Sequence, residues 1–271
     1  MSQSGTAILD SVTHLKPEHR GAAVYCASHG GAYAGYYAAK HGVGAVILND
    51  AGIGREQAGV AGLGLLAALG VPAAAISHLT ARIGDGVDGG TRGVLSFVNA
   101  PAKTAGLVVG MPCAEALRVL GAGTLTPSPA PQEMQESRFA IEHAGAIRVI
   151  GIDSIALVTE ADIGQIVVCG SHGGLLGGRP ETAIKVAALA AVYNDAGGGV
   201  DGAGFSRLPA LEAQGIAGAC VSCFSARIGD ARSTWEDGVI SAVNAVATQR
   251  GGVVGQSCRN FVGAMVKSAQ G

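Results

Sequence analysis

The octapeptide Val24–Gly31 reads VYCASHGG, and Val167–Gly174 reads VVCGSHGG, 143 residues later (167 − 24). In both copies an apolar run ends in serine, histidine and two glycines. A short apolar run closed by polar residues and glycine predicts a buried β-strand followed by a tight turn. Two such segments in one chain indicate an internal repeat.

Other motifs recur in the same order. Leu9–Val12 (LDSV) matches Ile152–Ile155 (IDSI) at the spacing of 143 (152 − 9). From residue 49 onward the spacing becomes 145 (194 − 49), which places a two-residue insertion in the second copy. The motifs at this spacing are Asn49–Gly52 with Asn194–Gly197, Ala81–Asp85 with Ala226–Asp230, and Gly93–Ser96 with Gly238–Ser241.

The repeat predicts two tandem α/β units that arose by internal duplication. The first repeat covers residues 8–119 and the second covers 151–265. Residues 120–150 form a linker with a proline-rich stretch, TPSPAP at Thr126–Pro131, and a short helix over 134–143.

Each copy has the pattern of a Rossmann-like or flavodoxin-like βαβαβα unit, and a pseudo-twofold axis is expected to relate the two. Apolar runs that alternate with longer Ala- and Gly-rich segments predict parallel strands with helices on both faces. In the first copy the predicted strands are 22–27, 45–48, 73–76 and 107–109, and the predicted helices are 32–41, 58–69 and 93–105. In the second copy, which follows the same plan, the predicted strands are 166–168, 190–193 and 217–221.

The predicted strands end in polar residues, and ligands of open α/β sheets bind outside the carboxyl ends of the strands. We therefore expect a small-molecule site there, in a cleft between the two repeats. The catalytic candidates are Ser28, His29, His78, Ser171, His172 and Cys223. The substrate-binding candidates are Gly30, Gly31, Asn49, Asp50, Arg82, Gly173, Gly174, Asn194, Asp195 and Arg227.

Each candidate type also has a purely structural explanation. A serine before a helix caps it, and an aspartate before Gly-rich residues caps their loop. Arg82 and Arg227 each precede an aspartate by three residues, so an ion pair within the loop competes with binding of a substrate carboxylate. Backbone amides of paired glycines favour an anion or a developing oxyanion.

The bulk composition excludes several partners. The formal net charge is −2 with no block of like charges, so nucleic acid and anionic membranes are not expected. No apolar stretch is long enough to cross a bilayer, and six cysteines without a CxxC pair predict free thiols in the cytoplasm. Nucleotide-binding glycine motifs are missing, so we expect no cofactor. His-x-His and His-x-x-x-His spacings are also missing and we expect no metal, although His29, Asp50, His78 and Asp85 could meet around an ion. A homo-oligomer is expected.

Three functional hypotheses remain open. The first is a cofactor-independent hydrolase, an amidohydrolase acting on an amide, imide or ester bond of a small carboxylate-bearing molecule. The second is an isomerase, racemase or lyase that moves a proton; the equivalent cysteines Cys26 and Cys169 resemble the paired cysteines of aspartate/glutamate racemases, although their flanking residues differ. The third is a protein that binds a small ligand without converting it.

Overall fold

A computed structural model describes residues 5–271, which form a mixed α/β fold with two β-sheets. The strands are β1 Thr6–Leu9, β2 Ala23–His29, β3 Ala45–Asn49, β4 Ala73–Ile76, β5 Leu95–Val98, β6 Arg138–Ala144, β7 Ile147–Ile152, β8 Ile166–His172, β9 Ala190–Asn194, β10 Ala217–Val221 and β11 Ile240–Val243. The helices are α1 Ala32–Lys40, α2 Ala61–Ala68, α3 Gly86–Arg92, α4 Ala100–Thr104, α5 Cys113–Ala122, α6 Arg207–Glu212, α7 Ala231–Asp237, α8 Ala245–Gln249 and α9 Cys258–Gln270.

The chain divides into two compact units, and neither is one continuous stretch. Among the described residues, unit 1 contains 5–53, 57–135 and 199–201. Unit 2 contains residues 54–56, 136–198 and 202–271. Three residues of the loop after β3 therefore belong to unit 2, and three residues of the loop after β9 belong to unit 1.

The sheet of unit 1 has the order β1-β2-β3-β4-β5. Strands β1 to β4 pair in parallel, and β5 pairs with β4 in the antiparallel direction. Alternate residues of β2 face opposite layers of helices. Val24 and Cys26 pack in a core with α1 and α2, and Tyr25 and Ala27 pack in a core with α4 and α5. The sheet therefore has helices on both faces, as predicted.

The sheet of unit 2 has the order β6-β7-β8-β9-β10-β11. Strands β7 to β10 are parallel, β11 is antiparallel to β10, and β6 is antiparallel to β7. One core contains Val168 and Val192 with Phe261 of α9, and the other contains Cys169 and Tyr193 with Leu211 of α6.

Two predicted elements of the first copy are wrong. Residues 93–105 are not one helix, since they contain β5 and then the short helix α4. In β5 (LSFV) Leu95 and Val98 are buried, and Asn99 ends the strand by capping α4, where its Oδ1 accepts the Ala102 N–H. Residues 107–109 are not a strand, and Val108 and Val109 are exposed.

The short helix predicted within the linker, over 134–143, is also wrong. Strand β6 lies there instead and forms a hairpin with β7. Its burial alternates between exposed and partly buried residues along RFAIEHA, which is the pattern of an edge strand. In unit 1, strand β1 and helices α3 and α5 were not predicted at all.

Unit 2 lacks an α-helix directly after β8, although the second repeat was predicted to follow the first. In unit 1, α1 packs closely on α2 at two glycines. A Cβ added at Gly35 would lie only 2.7 Å from Gly62 Cα, so this close approach requires glycine. The position equivalent to Gly62 at the spacing of 145 is Arg207 (207 − 62), which is 1% exposed. Its guanidinium donates to the carbonyls of His172, Thr182 and Ala183, so it binds backbone groups of an irregular segment.

Within residues 5–271, no helix combines the length and the apolar character needed to cross a bilayer.

Two buried tyrosines differ in the hydrogen bonding of their hydroxyl groups. The Tyr25 hydroxyl is buried without a hydrogen-bond partner among the described residues, whereas the Tyr193 hydroxyl donates to the Ala183 carbonyl at 2.9 Å. A buried, unpaired hydroxyl costs free energy that a phenylalanine does not.

Replacing Tyr25→Phe should leave the free energy of unfolding unchanged or raise it by up to about 1 kcal/mol. The matched replacement Tyr193→Phe should lower it by about 1 kcal/mol, because a satisfied buried bond is lost. Urea unfolding measures both, and an equal loss in the two variants would contradict this description of the Tyr25 hydroxyl.

Candidate functional site

The carboxyl ends of β2, β3 and β4 place polar side chains at one edge of the sheet of unit 1. His29 is the last residue of β2 and pairs in register with Asn49, the last residue of β3. Asp50 follows β3, and His78 lies two residues after β4 ends at Ile76. The predicted positions of these residues at strand ends are confirmed.

A carboxylate–imidazole pair lies at this edge. His78 Nδ1 is 2.8 Å from Asp50 Oδ1, and the backbone N–H of His78 donates to the same oxygen at 2.9 Å. The hydroxyl of Ser96, on β5, donates to Asp50 Oδ2 at 2.7 Å. We call Asp50, His78 and Ser96 the His78 centre.

The protonation state of the His78 centre follows from these bonds. Burial alone raises the pKa of Asp50, but hydrogen bonds from the His78 ring and backbone and from Ser96 outweigh it and hold that pKa below its usual range. An ionised Asp50 only accepts hydrogen bonds, so Nδ1 of His78 carries the proton. In the neutral ring Nε2 then has the lone pair, and no described residue forms a hydrogen bond with it. The side chain of His78 is 18% exposed.

The backbone after Asp50 is strained. Four consecutive residues, 51–54, have positive φ, including Ala51 at 49° and Ile53 at 61°. A β-branched residue such as Ile53 rarely adopts this conformation, which costs about 1–3 kcal/mol. The left-handed turn is closed by the Ile53 N–H, which donates to the Asp50 carbonyl at 2.7 Å, and it lets Gly52 N donate to Asp50 Oδ1. Strain of this kind is concentrated at functional sites.

The ring of His29 is arranged as a hydrogen-bond donor and not as a general base. Its Nδ1 accepts the Gly31 N–H at 3.1 Å, so the proton of the neutral ring lies on Nε2. Burial lowers the pKa of His29 from 6.5 to about 4. His29 is therefore a neutral hydrogen-bond donor near pH 7.

Ser28 and Ser171 each accept a hydrogen bond from a backbone N–H. The donor lies three residues after the end of the preceding strand, which is β1 for Ser28 and β7 for Ser171. Ser28 Oγ accepts the Val12 N–H at 2.9 Å, and Ser171 Oγ accepts the Ile155 N–H at 3.0 Å. Ser28 is buried. The catalytic role of both serines stays a prediction.

The paired glycines donate their amides within the chain. Gly30 N donates to the Asn49 carbonyl at 2.8 Å, and Gly173 N donates to the Asn194 carbonyl at 2.8 Å. Gly31 N and Gly174 N donate to the Nδ1 atoms of His29 and His172. To bind an oxyanion, these amides would first have to release those acceptors.

The equivalent edge of unit 2 has no imidazole beside its carboxylate. Asp195 Oδ1 accepts the N–H groups of Gly197 and Cys223 at 2.9 Å each. Cys223 takes the position of His78 and is 1% exposed. His172, at the end of β8, is buried, and Asn194 Oδ1 accepts the Ala196 N–H as Asn49 Oδ1 accepts the Ala51 N–H.

The two candidate arginines are paired with carboxylates. Arg227 lies 2.9 Å from Asp230, which is the expected ion pair within the loop, and 3.2 Å from Glu56. Arg82 is 3.8 Å from Asp85 and makes a shorter contact, 2.9 Å, with Asp201. Their role in binding a substrate carboxylate stays a prediction.

The equivalent thiols of Cys26 and Cys169 are fully buried core groups. Burial raises the pKa of Cys26 far above its usual value and the pKa of Cys169 to about 11. Both thiols therefore stay protonated near neutral pH. Within residues 5–271, no group of three or more His, Cys, Asp or Glu side chains could hold a metal ion.

Sequence reasoning missed Ser96, Arg92 and Asp201. Ser96 belongs to a repeated motif, but the predicted helix over 93–105 gives no indication that it lies at the edge of the sheet. Asp201 had one available signal, since Glu56 is the acidic residue at the equivalent position (201 − 56 = 145). Both lie in glycine-rich loops.

Comparison of the chain with protein-family models, with curated proteins and with solved structures gives no match. The fold and its strand-end site therefore define the protein at the level of an α/β protein with a carboxylate–imidazole pair.

The low pKa of His29 predicts acid sensitivity. The unfolded chain binds a proton at this residue below about pH 6.5 and the folded chain only below about pH 4. The stabilising contribution is therefore complete above pH 6.5 and is lost as the pH falls toward 4. Its upper limit is about 3 kcal/mol, and the partial exposure of His29 reduces it.

His29→Asn should flatten the decline in unfolding free energy between pH 6.5 and 4, as measured by urea unfolding at several pH values. His143→Asn, on the exposed side of β6, is the control and should keep the wild-type slope. A wild-type slope in His29→Asn would contradict the assignment.

Proposed function

We propose that the chain is a cofactor-independent hydrolase that cleaves an amide, imide or ester bond in a small carboxylate-bearing molecule, with His78 as the proton-transfer group. The observation that carries the proposal is the His78 centre. Asp50 holds Nδ1–H on one side, and Nε2 remains as the base on the other. The proposal concerns unit 1 alone.

The chemistry requires only water as a co-reactant. Nε2 of His78 takes a proton as the water oxygen bonds to the carbonyl carbon of the substrate. The bond from that carbon to nitrogen or oxygen then breaks, and the imidazolium returns the proton to the leaving atom. The ionised Asp50 stabilises the imidazolium between the two steps.

Water is the nucleophile that fits this geometry best. The Ser96 hydroxyl donates to Asp50 rather than to Nε2, and Ser28 bonds the backbone of Val12. Neither hydroxyl is hydrogen-bonded to the base. A serine nucleophile would need a different partner.

A carboxylate on the substrate fits the arginine beside the site. Arg82 follows His78 by four residues and its side chain is 46% exposed, but its guanidinium already pairs with Asp201, so a substrate carboxylate would have to join or displace that pair. Guanidinium and carboxylate form charge-assisted pairs.

Thiol-based proton transfer has less support than hydrolysis. Cys26 and Cys169 are buried and protonated near neutral pH, so neither supplies the thiolate that a two-cysteine racemase needs. Proton movement on carbon by His78 itself remains the alternative.

We also infer that the two units descend from a duplicated ancestor. The order of four parallel strands followed by one antiparallel strand occurs in β1 to β5 and again in β7 to β11. A homo-oligomer, predicted from the composition, remains part of the proposal, and light scattering measures it.

His78→Gln should lower kcat/KM by roughly 10²- to 10⁴-fold without unfolding the protein, because the base is lost. Asp50→Asn should lower it by at least about tenfold, because the ring loses its tautomer and orientation. The substrates for the measurement are 4-nitrophenyl hydrogen succinate and a panel of carboxylate-bearing amides and cyclic imides.

Ser28→Ala separates water from a serine nucleophile. We expect it to lower stability, since the Val12 N–H loses its acceptor, and to change kcat by less than tenfold. Loss of activity comparable to that of His78→Gln would mean that Ser28 attacks the substrate. Ser171→Ala tests the second copy in the same way.

Two outcomes on the same panel would replace the proposal. Uptake of solvent deuterium at a substrate C–H, without bond cleavage, would identify proton transfer on carbon. Thermal stabilisation by a compound that is never converted would identify a binding protein.

A further inference from the structure

The backbone of His78 contacts a segment from much later in the chain. Residues Gly199–Asp201 belong to unit 1, and the Val200 N–H donates to the His78 carbonyl at 2.8 Å. Gly199 has φ +67°, and an added Cβ there would lie 3.2 Å from the same carbonyl oxygen. The segment therefore lies directly against the residue that carries the proposed base.

Asp201 anchors this segment through two arginines. Its Oδ2 lies 2.7 Å from Arg92 Nη2 and 2.9 Å from Arg82 Nη2, and Arg82 Nε donates to it at 3.1 Å. The two guanidinium groups hold the pKa of Asp201 below its usual range, so the anchor stays charged. Asp201 itself has φ +57°, a conformation that a non-glycine residue keeps only when its contacts maintain it.

The arginines are themselves fixed from helix α3. Asp88 Oδ1 lies 2.8 Å from Arg92 Nε, and Asp88 Oδ2 accepts the Arg82 backbone N–H at 2.8 Å. The result is a continuous set of contacts from α3 through Asp201 to the carbonyl of His78. On its other side, the N–H and Nδ1 of His78 both bind Asp50 Oδ1.

We propose that Asp201 is a positioning residue of the His78 centre. Its ion pairs fix residues 199–201, which hold the backbone carbonyl of His78 and thereby keep the imidazole on Asp50. The inference rests on the proposed function only for its effect on turnover. The effect on the imidazole is independent of any substrate.

Unit 2 contains the same arrangement without the imidazole. At the spacing of 145, Arg55 N donates to the Cys223 carbonyl at 2.8 Å, as Val200 N does to that of His78. Glu56, at φ +54°, lies 3.2 Å from Arg227, as Asp201 pairs with Arg82. Glu56 is therefore a matched control, because it anchors an equivalent loop next to a cysteine.

The test is the Nδ1–H resonance of His78 in ¹⁵N-labelled full-length protein, assigned by its loss in His78→Gln. In Asp201→Asn the exchange of this proton with solvent should accelerate by roughly tenfold or more, because the ring leaves Asp50 more often. In Glu56→Gln it should keep the wild-type rate, and in Asp201→Glu it should be partly restored. Circular dichroism verifies that each variant is folded.

Activity provides the second measurement. With 4-nitrophenyl hydrogen succinate, Asp201→Asn should lower kcat by roughly 3- to 10-fold, with a smaller change in KM. Glu56→Gln should leave both constants unchanged.

Unchanged Nδ1–H exchange in Asp201→Asn would overturn the positioning role, as would an equal acceleration in Glu56→Gln. If Asp201→Asn accelerates exchange but the wild-type protein converts no substrate, the positioning role stands and the proposed function fails.

Discussion

One buried carboxylate joins the ends of three neighbouring strands in unit 1. Asp50 follows β3, receives both nitrogen donors of His78 after β4, and accepts the hydroxyl of Ser96 on β5. With Gly52 N it accepts four hydrogen bonds, which is enough to keep a 2% exposed carboxylate ionised. The base, its tautomer and the strained turn after β3 all depend on this group.

The sequence predicts the strands better than the elements between them. The strands that end at His29, Asn49 and Ile76 are short apolar runs closed by polar residues. Such runs are typical of a parallel sheet, because helices cover both of its faces and its strands are apolar along their length. The segment 93–105 was predicted as one helix because it combines a four-residue strand, too short to show a period, with a short helix that begins after Asn99. That error also removed Ser96 from the candidate site.

Contacts between distant parts of the chain leave no local pattern. Nothing near residue 201 indicates that Asp201 pairs with Arg82 and Arg92, because it lies 119 and 109 residues from them in sequence. The sequence allows a pairing of Asp50 with His78 to be predicted, because both follow the ends of neighbouring strands. Which nitrogen bonds which oxygen required coordinates. The one indication in the sequence is the repeat, since Glu56 places an acidic residue at the position equivalent to Asp201.

Arg207 has a consequence for how the backbone of unit 2 is satisfied. A helix satisfies its own carbonyls through bonds from the N–H groups four residues later, whereas an irregular segment needs other donors. The planar guanidinium offers several donors in one fork, and it serves the carbonyls of His172, Thr182 and Ala183 together. A shorter side chain at position 207 would leave these three carbonyls to find new donors, so the irregular segment depends on one residue.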